Sequence, residues 1–237
     1  MGKKALVIKF SDVWDRMRLM YTRDNVMYTL SWDTYKYFCA TGSMIADRQF
    51  CETDISLLQV IPYVVLYKHT DNGLLVLTYV RGKGGTETRL HDKLSVGLGG
   101  HIEEMPNYPD ECLDTVIYRG AVRELEEELG KEFVTDELRE SLANSLLVNK
   151  LRQEPCLSGN IPLIYHSRAT PVDEVHLGIF TLVPVTEDTT TFDIEKDVIE
   201  ETKWVRFDTL KVKENYDRLE TWSKAVIDNL DKVLNSK

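Results

Sequence analysis

Two β-rich runs, Val60 to Tyr67 and Leu74 to Val80, flank the segment Thr70-Asp71-Asn72-Gly73. Asn-Gly between such runs is a strong short-range signal for a hairpin, because both residues tolerate the positive φ of a tight turn while their neighbours favour extended backbone. An antiparallel pair at this point constrains everything that follows. Leu94 to Leu98, Leu163 to Ser167, Val175 to Val185 and Thr202 to Phe207 read as further strands. Two segments have helical spacing instead. In Asp110 to Gly130, the residues Tyr118, Val122, Leu125 and Leu129 form one apolar stripe that Gly130 ends. Val212 to Leu234 reads as one closing amphipathic helix through Tyr216, Leu219, Trp222, Val226, Leu230 and Val233. The pattern predicts an α/β chain, a mixed sheet with helices on its faces.

Residues 1–56 are less regular. A short strand-like start, Ala5 to Phe10, precedes an aromatic-rich stretch with Trp14, Tyr21, Tyr28, Trp32, Tyr35, Tyr37 and Phe38. Clustered aromatics are usually core, so this part is expected to be an N-terminal extension packed on a main domain of residues 57–237. The competing reading is a base-stacking surface or one through which a homodimer forms. The longest largely apolar stretch, Leu57 to Tyr67, contains Gln59 and Pro62 and is far short of the roughly 20 residues a membrane span needs. The start lacks the apolar run and cleavage site of a signal peptide. A cytoplasmic protein with no membrane partner is expected. Cys39, Cys51, Cys112 and Cys156 form no CxxC pair and have no closely spaced His, so neither a zinc site nor a disulfide framework is signalled.

Charge is concentrated in one place. The chain carries a net −10, and residues 101–140 hold 13 acids against 4 bases, which leaves only −1 for the rest. That balance excludes a generally basic nucleic-acid scaffold. Within the segment, Glu124, Glu127 and Glu128 stand at i, i+3 and i+4, on one helical face beside the apolar stripe, with Glu126 pointing elsewhere. Like charges packed this way repel. They are either a solvated acidic face or a site at which a hard divalent cation takes oxygen ligands, and the spacing alone leaves both open.

The run Arg123-Glu124-Leu125-Glu126-Glu127-Glu128-Leu129-Gly130, preceded by Gly99-Gly100-His101-Ile102-Glu103, resembles the Nudix box, G-x5-E-x7-R-E-U-x-E-E-x-G-U with U a bulky apolar residue. The second half matches at every specified position through Gly130. The resemblance implies a Nudix-type α/β/α sandwich over about residues 57–237. There are departures. Gly100 and Arg123 are nine residues farther apart than in the pattern, and the connecting loop includes Glu104 to Glu111. The middle Glu of the box would fall on Pro106, with Glu104, Asp110 and Glu111 as substitutes that the sequence does not rank. Lys131 stands at the final apolar position.

Residue by residue, the resemblance implies that Gly100 offers a backbone carbonyl to Mg2+ or Mn2+ and that Glu127 and Glu128 are the main ligands. Glu124 would be a further ligand or an acid-base residue, and Arg123 would orient a glutamate by a charge-assisted hydrogen bond. Such a site activates water against the pyrophosphate bond of a nucleoside diphosphate-linked small molecule, so the expected partner is a phosphorylated metabolite. Asp173-Glu174, before the strand from Val175, supplies the candidate general base, with Glu174 preferred. His101 and, more weakly, Arg89 are candidates for substrate contact. The alternative reading is a Nudix-like nucleotide-binding regulator without turnover.

Overall fold

A computed structural model describes residues 2–17, 26–29, 32–82, 93–103, 112–147, 162–186 and 199–235. The elements run β1 (Lys4–Lys9), α1 (Phe10–Met17), β2 (Val26–Thr29), α2 (Trp32–Cys39), β3 (Ser43–Asp47) and α3 (Arg48–Cys51). They continue with β4 (Leu57–Thr70), β5 (Gly73–Arg81), β6 (Leu94–Ser95), α4 (Leu113–Leu129), α5 (Asp136–Leu146) and β7 (Leu163–Ser167). A 3-10 turn at Asp173–Val175 leads into β8 (His176–Pro184), β9 (Ile199–Arg206), α6 (Phe207–Leu210), α7 (Lys213–Arg218) and α8 (Thr221–Asn235).

The long strand β4 organises the sheet. It pairs in parallel with β8 from Gln59↔His176 to Tyr67↔Pro184, and antiparallel with β1 at one end and β5 at the other. The path β2-β7-β8-β4-β1-β3 is extended by β5, which also pairs β6 and β9. Pro62 sits inside β4 without breaking it. On the edge away from β8, pairing with β1 ends at Gln59 and resumes at the Val64–Leu98 bridge, so the absent N–H of Pro62 falls in the gap.

Alternate residues of β4 feed two cores. Leu58, Val60, Val64 and Leu66 pack with Val116, Ile117, Leu125 and Leu129 of α4. Tyr63, Val65 and Tyr67 pack with Phe207, Leu210, Val226 and Leu230 on the opposite face. This is the sheet between helices that the alternation predicts, and β4 is buried on both faces as its near-continuous apolar run requires.

The hairpin forms where expected, with Thr70 opposite Gly73. Gly73 has φ +109°, a conformation in which a Cβ would be strained. The segment from Leu94 is shorter than its pattern suggests: β6 is two residues long, and Leu98 makes only an isolated bridge. A larger difference lies in the closing segment, which is two helices and not one. Leu219 leaves the helix to bridge Leu94, and the Glu220 carboxylate then accepts from the N–H groups of Trp222 and Ser223 to start α8. The helix α5 has no counterpart among the expected elements; Thr135 caps it by accepting from the Leu138 N–H.

In residues 1–56, β1 and β3 are strands of the one sheet, and the sheet therefore crosses the division at residue 57. Tyr35 and Phe38 of the aromatic stretch are buried in the α4-side core, while Tyr37 is exposed. Cys39, Cys51 and Cys112 are free thiols. Among the described residues no helix is long and apolar enough to cross a membrane.

Candidate functional site

The irregular segment Gly99 to Glu103 turns from the sheet toward the face of α4. It is held on one side by β1, whose Leu6 N–H donates to the Ile102 carbonyl at 2.8 Å. On the other side, Arg123 Nη2 donates to the His101 carbonyl at 2.6 Å. The same guanidinium donates through Nη1 to Glu127 Oε2 at 2.6 Å, and its Nη2 also reaches Glu124. Arg123 thus joins two of the expected metal-ligating glutamates to the backbone of the glycine-containing turn. Fork geometry makes this possible, since a guanidinium presents several N–H groups in one plane.

Gly100 faces Glu124 directly. A Cβ at position 100 would lie 2.7 and 2.8 Å from the two Glu124 carboxylate oxygens, a separation only glycine permits. Glu124 is mostly covered, with its side chain 12% exposed, while Glu127 is 52% exposed and Glu128 is buried. The three carboxylates share one side of α4 but meet very different surroundings. Burial raises the Glu124 carboxyl to about 7, with Arg123 opposing the shift and Glu127 adding to it. Glu126, on another side of the helix, pairs with Arg139 of α5 and ties the two helices together.

Glu174 lies in the 3-10 turn before β8, where its carbonyl faces His166 Nε2 at 3.2 Å; its carboxylate has no hydrogen-bond or ion-pair partner among the described residues. Its neighbour Asp173 is differently engaged. Asp173 is buried and accepts from Trp222 Nε1 at 3.2 Å and Thr170 Oγ1 at 2.7 Å, which locks the turn to α8. His101 does not project toward open solvent. Its Nε2 is 3.1 Å from Nε2 of His176, and burial, followed by the charge of Arg48, depresses it to about 2, so its imidazole is neutral at ordinary pH. Arg89, Glu104, Pro106, Asp110 and Glu111 lie outside the described residues.

The sequence did not signal the partners of His101. Glu52, at the C-terminal cap of α3, and His176, the first residue of β8, each place a ligand-type atom within 4.8 Å of the others and of His101. The three residues are far apart in the chain and match no spacing motif. The parallel pairing of β4 with β8, the antiparallel pairing of β1 with β4 and the Leu6–Ile102 hydrogen bond bring them together.

Comparisons with known proteins extend this description. No family model matches the chain. Tm1382, provisionally described as a Nudix hydrolase, superposes with a TM-score of 0.65 at 21% identity over 98% of this chain and 99% of its own. A bifunctional NMN adenylyltransferase/ADP ribose pyrophosphatase from Francisella tularensis superposes with a TM-score of 0.51 at 14% identity, over 78% of this chain and 44% of its own. Both likenesses are of fold. Protein YmaB of Bacillus subtilis (strain 168) is 32% identical over 184 residues, which are 78% of this chain and 76% of that one. With that identity over more than two thirds of both chains, the protein belongs to the same family as YmaB, built on the fold it shares with Nudix hydrolases.

Proposed function

We propose that the protein is a metal-dependent hydrolase of a phosphoanhydride bond in a nucleoside diphosphate-linked or related small molecule. The observation that carries this reading is the close approach of Gly100 to the Glu124 carboxylate, with Arg123 bonded both to Glu124 and to the carbonyl of the next residue, His101. A backbone carbonyl beside carboxylates is an all-oxygen donor set, and Mg2+ or Mn2+ prefers such oxygens, completed by water and substrate phosphate, to a closed protein cage. Gly100, Glu124, Glu127 and Glu128 would hold the ion. When bound, it neutralises the diphosphate and lowers the pKa of the attacking water.

The chain's own groups supply the remaining requirements. Arg123 holds Glu124 and Glu127 in register with the turn, so the carboxylates are positioned before substrate arrives. Glu124, raised to about 7, can take and return a proton near neutral pH. Glu174, on the turn that opens β8, is proposed as the base that accepts the water proton. We include His101 and Arg89 as substrate contacts in the same proposal.

A screen of nucleoside diphosphate derivatives with phosphate readout, with Mg2+ or Mn2+ and then with chelator, tests it. Metal-dependent product release that Glu127→Gln reduces by about 10²-fold or more is expected. Hydrolysis that is the same in wild type and Glu127→Gln would overturn the reading, as would nucleotide binding without turnover across the panel.

A further inference from the structure

We propose a second metal site, built by Glu52, His101 and His176, that takes a zinc-type divalent cation and is separate from the carboxylates of α4. The three ligand atoms lie within 4.8 Å of one another. The two imidazole Nε2 atoms are 3.1 Å apart. Two nitrogens that each bind a zinc ion at about 2.0–2.1 Å with tetrahedral angles are themselves about 3.3 Å apart, so the histidine pair already has nearly the separation an ion imposes.

The supporting contacts point the same way. His176 Nδ1 is 2.7 Å from the Val172 carbonyl, which makes Nδ1 the protonated nitrogen and leaves the Nε2 lone pair directed at His101. On the third ligand, Arg48 Nε donates to Glu52 Oε1 at 2.9 Å, orienting the carboxylate and leaving its other oxygen. The nearby cations are each matched by an acid: Arg48 by Glu52, Lys3 by Glu103 at 3.8 Å, and Arg123 by Glu124 and Glu127. These pairings reduce, without cancelling, the positive charge that reaches His101.

Gln59 is an independent observation. It pairs with His176 in the β4–β8 register, so the two residues share one face of the sheet. Gln59 is fully buried, and neither its amide oxygen nor its amide nitrogen has a hydrogen-bond partner among the described residues. A buried amide left in this state is costly. A three-ligand zinc-type site keeps a fourth position for water, and such a water is a partner of the kind this amide lacks.

Imidazole ligands select the class of ion. Two histidines and a carboxylate suit Zn2+, Co2+ or Fe2+, whereas Mg2+ prefers oxygen throughout. The ligands come from the end of α3, the Gly99–Glu103 turn and the start of β8. An ion there ties the N-terminal strands to the turn that presents Gly100.

The test uses the full chain, stripped with chelator and titrated with Co2+. One equivalent is expected to give the intense visible absorption of a four-coordinate cobalt centre, with the same signal in Glu127→Gln. His176→Ala and His101→Ala should each weaken Co2+ binding by more than about 100-fold, beyond the cost of losing a supporting contact alone. Glu52→Gln, at a half-exposed position where folding is not at stake, should weaken it at least tenfold and should shrink the Zn2+-dependent rise in melting temperature seen in wild type. Absence of a stoichiometric band in wild type overturns the proposal. So does a band that Glu127→Gln removes, or one that survives in all three ligand variants. None of these readouts involves hydrolysis, so the result stands apart from the fate of the proposed activity.

Discussion

The carboxylate of Glu124 occupies the space beside Gly100 that any side chain at position 100 would need, with its oxygens 2.7 and 2.8 Å from the place of a Cβ. Gly100→Ala must therefore push Glu124 away. Because the displaced atoms end a flexible side chain, the stability cost should stay within about 1 kcal/mol. Activity should fall by about 10²-fold, as expected when a reacting group moves by an ångström. Paired kcat/KM and urea-midpoint measurements check this, and an Ala variant with full activity contradicts it.

Arg123 meets three acceptors with one planar group: Glu124, Glu127 and the His101 carbonyl. Lysine keeps the charge but not the fork. Arg123→Lys should lose about 10- to 100-fold in kcat/KM, close to the loss in Arg123→Ala. Steady-state kinetics of both variants decide the point; a fully active lysine variant would show that charge alone suffices.

The elevated Glu124 carboxyl has a consequence for stability. Its pKa in the folded protein, about 7, is above the ordinary 4.5, so the folded state holds its proton more tightly. The stabilising contribution is complete below about 4.5 and is lost as the pH rises through 7. Metal-free wild type should thus lose up to about 3 kcal/mol between pH 4.5 and pH 7.5 through this group. Glu124→Gln should lack that part of the slope, and Mg2+ or Mn2+ should restore stability at the upper end. Urea unfolding across this range, with and without chelator, gives the comparison, and identical slopes in the two proteins would refute it.

Glu220 is buried and accepts from the Tyr63 hydroxyl, the Ser223 hydroxyl and two N–H groups at the start of α8. Glu220→Ala leaves the two N–H groups without their side-chain acceptor, while the Tyr63 and Ser223 hydroxyls retain each other, and should cost about 2–4 kcal/mol. Glu220→Gln retains an oxygen and should cost less. Denaturant unfolding of the two variants is the measurement. An alanine variant within 0.5 kcal/mol of wild type, on the roughly ±0.5 kcal/mol scale of neutral surface changes, would contradict the capping role.

Features written in neighbouring residues are legible in the sequence. The hairpin at Asp71-Asn72, the apolar stripe of α4 and the grouping of Glu124, Glu127 and Glu128 all depend on spacings of a few residues. The break between α7 and α8 is not legible there, because Leu219 and Trp222 continue the apolar period. What interrupts the helix is a contact with Leu94, far back in the chain. The helix α5 is hidden for a related reason: much of its burial comes from packing against α4 and β8.

The sequence by itself determined the hairpin, the apolar stripe of α4 and the identity of the acidic face, since these follow from local periodicity and side-chain chemistry. The tertiary structure alone decided which carboxylate is covered and which is wet, and which distant groups meet. Glu124 and Glu127 are three residues apart yet differ widely in exposure, because the Gly99–Glu103 turn lies over only one of them. Glu52, His101 and His176 have no relation in the chain, and their meeting is set by sheet pairing that brings segments from three parts of the protein together.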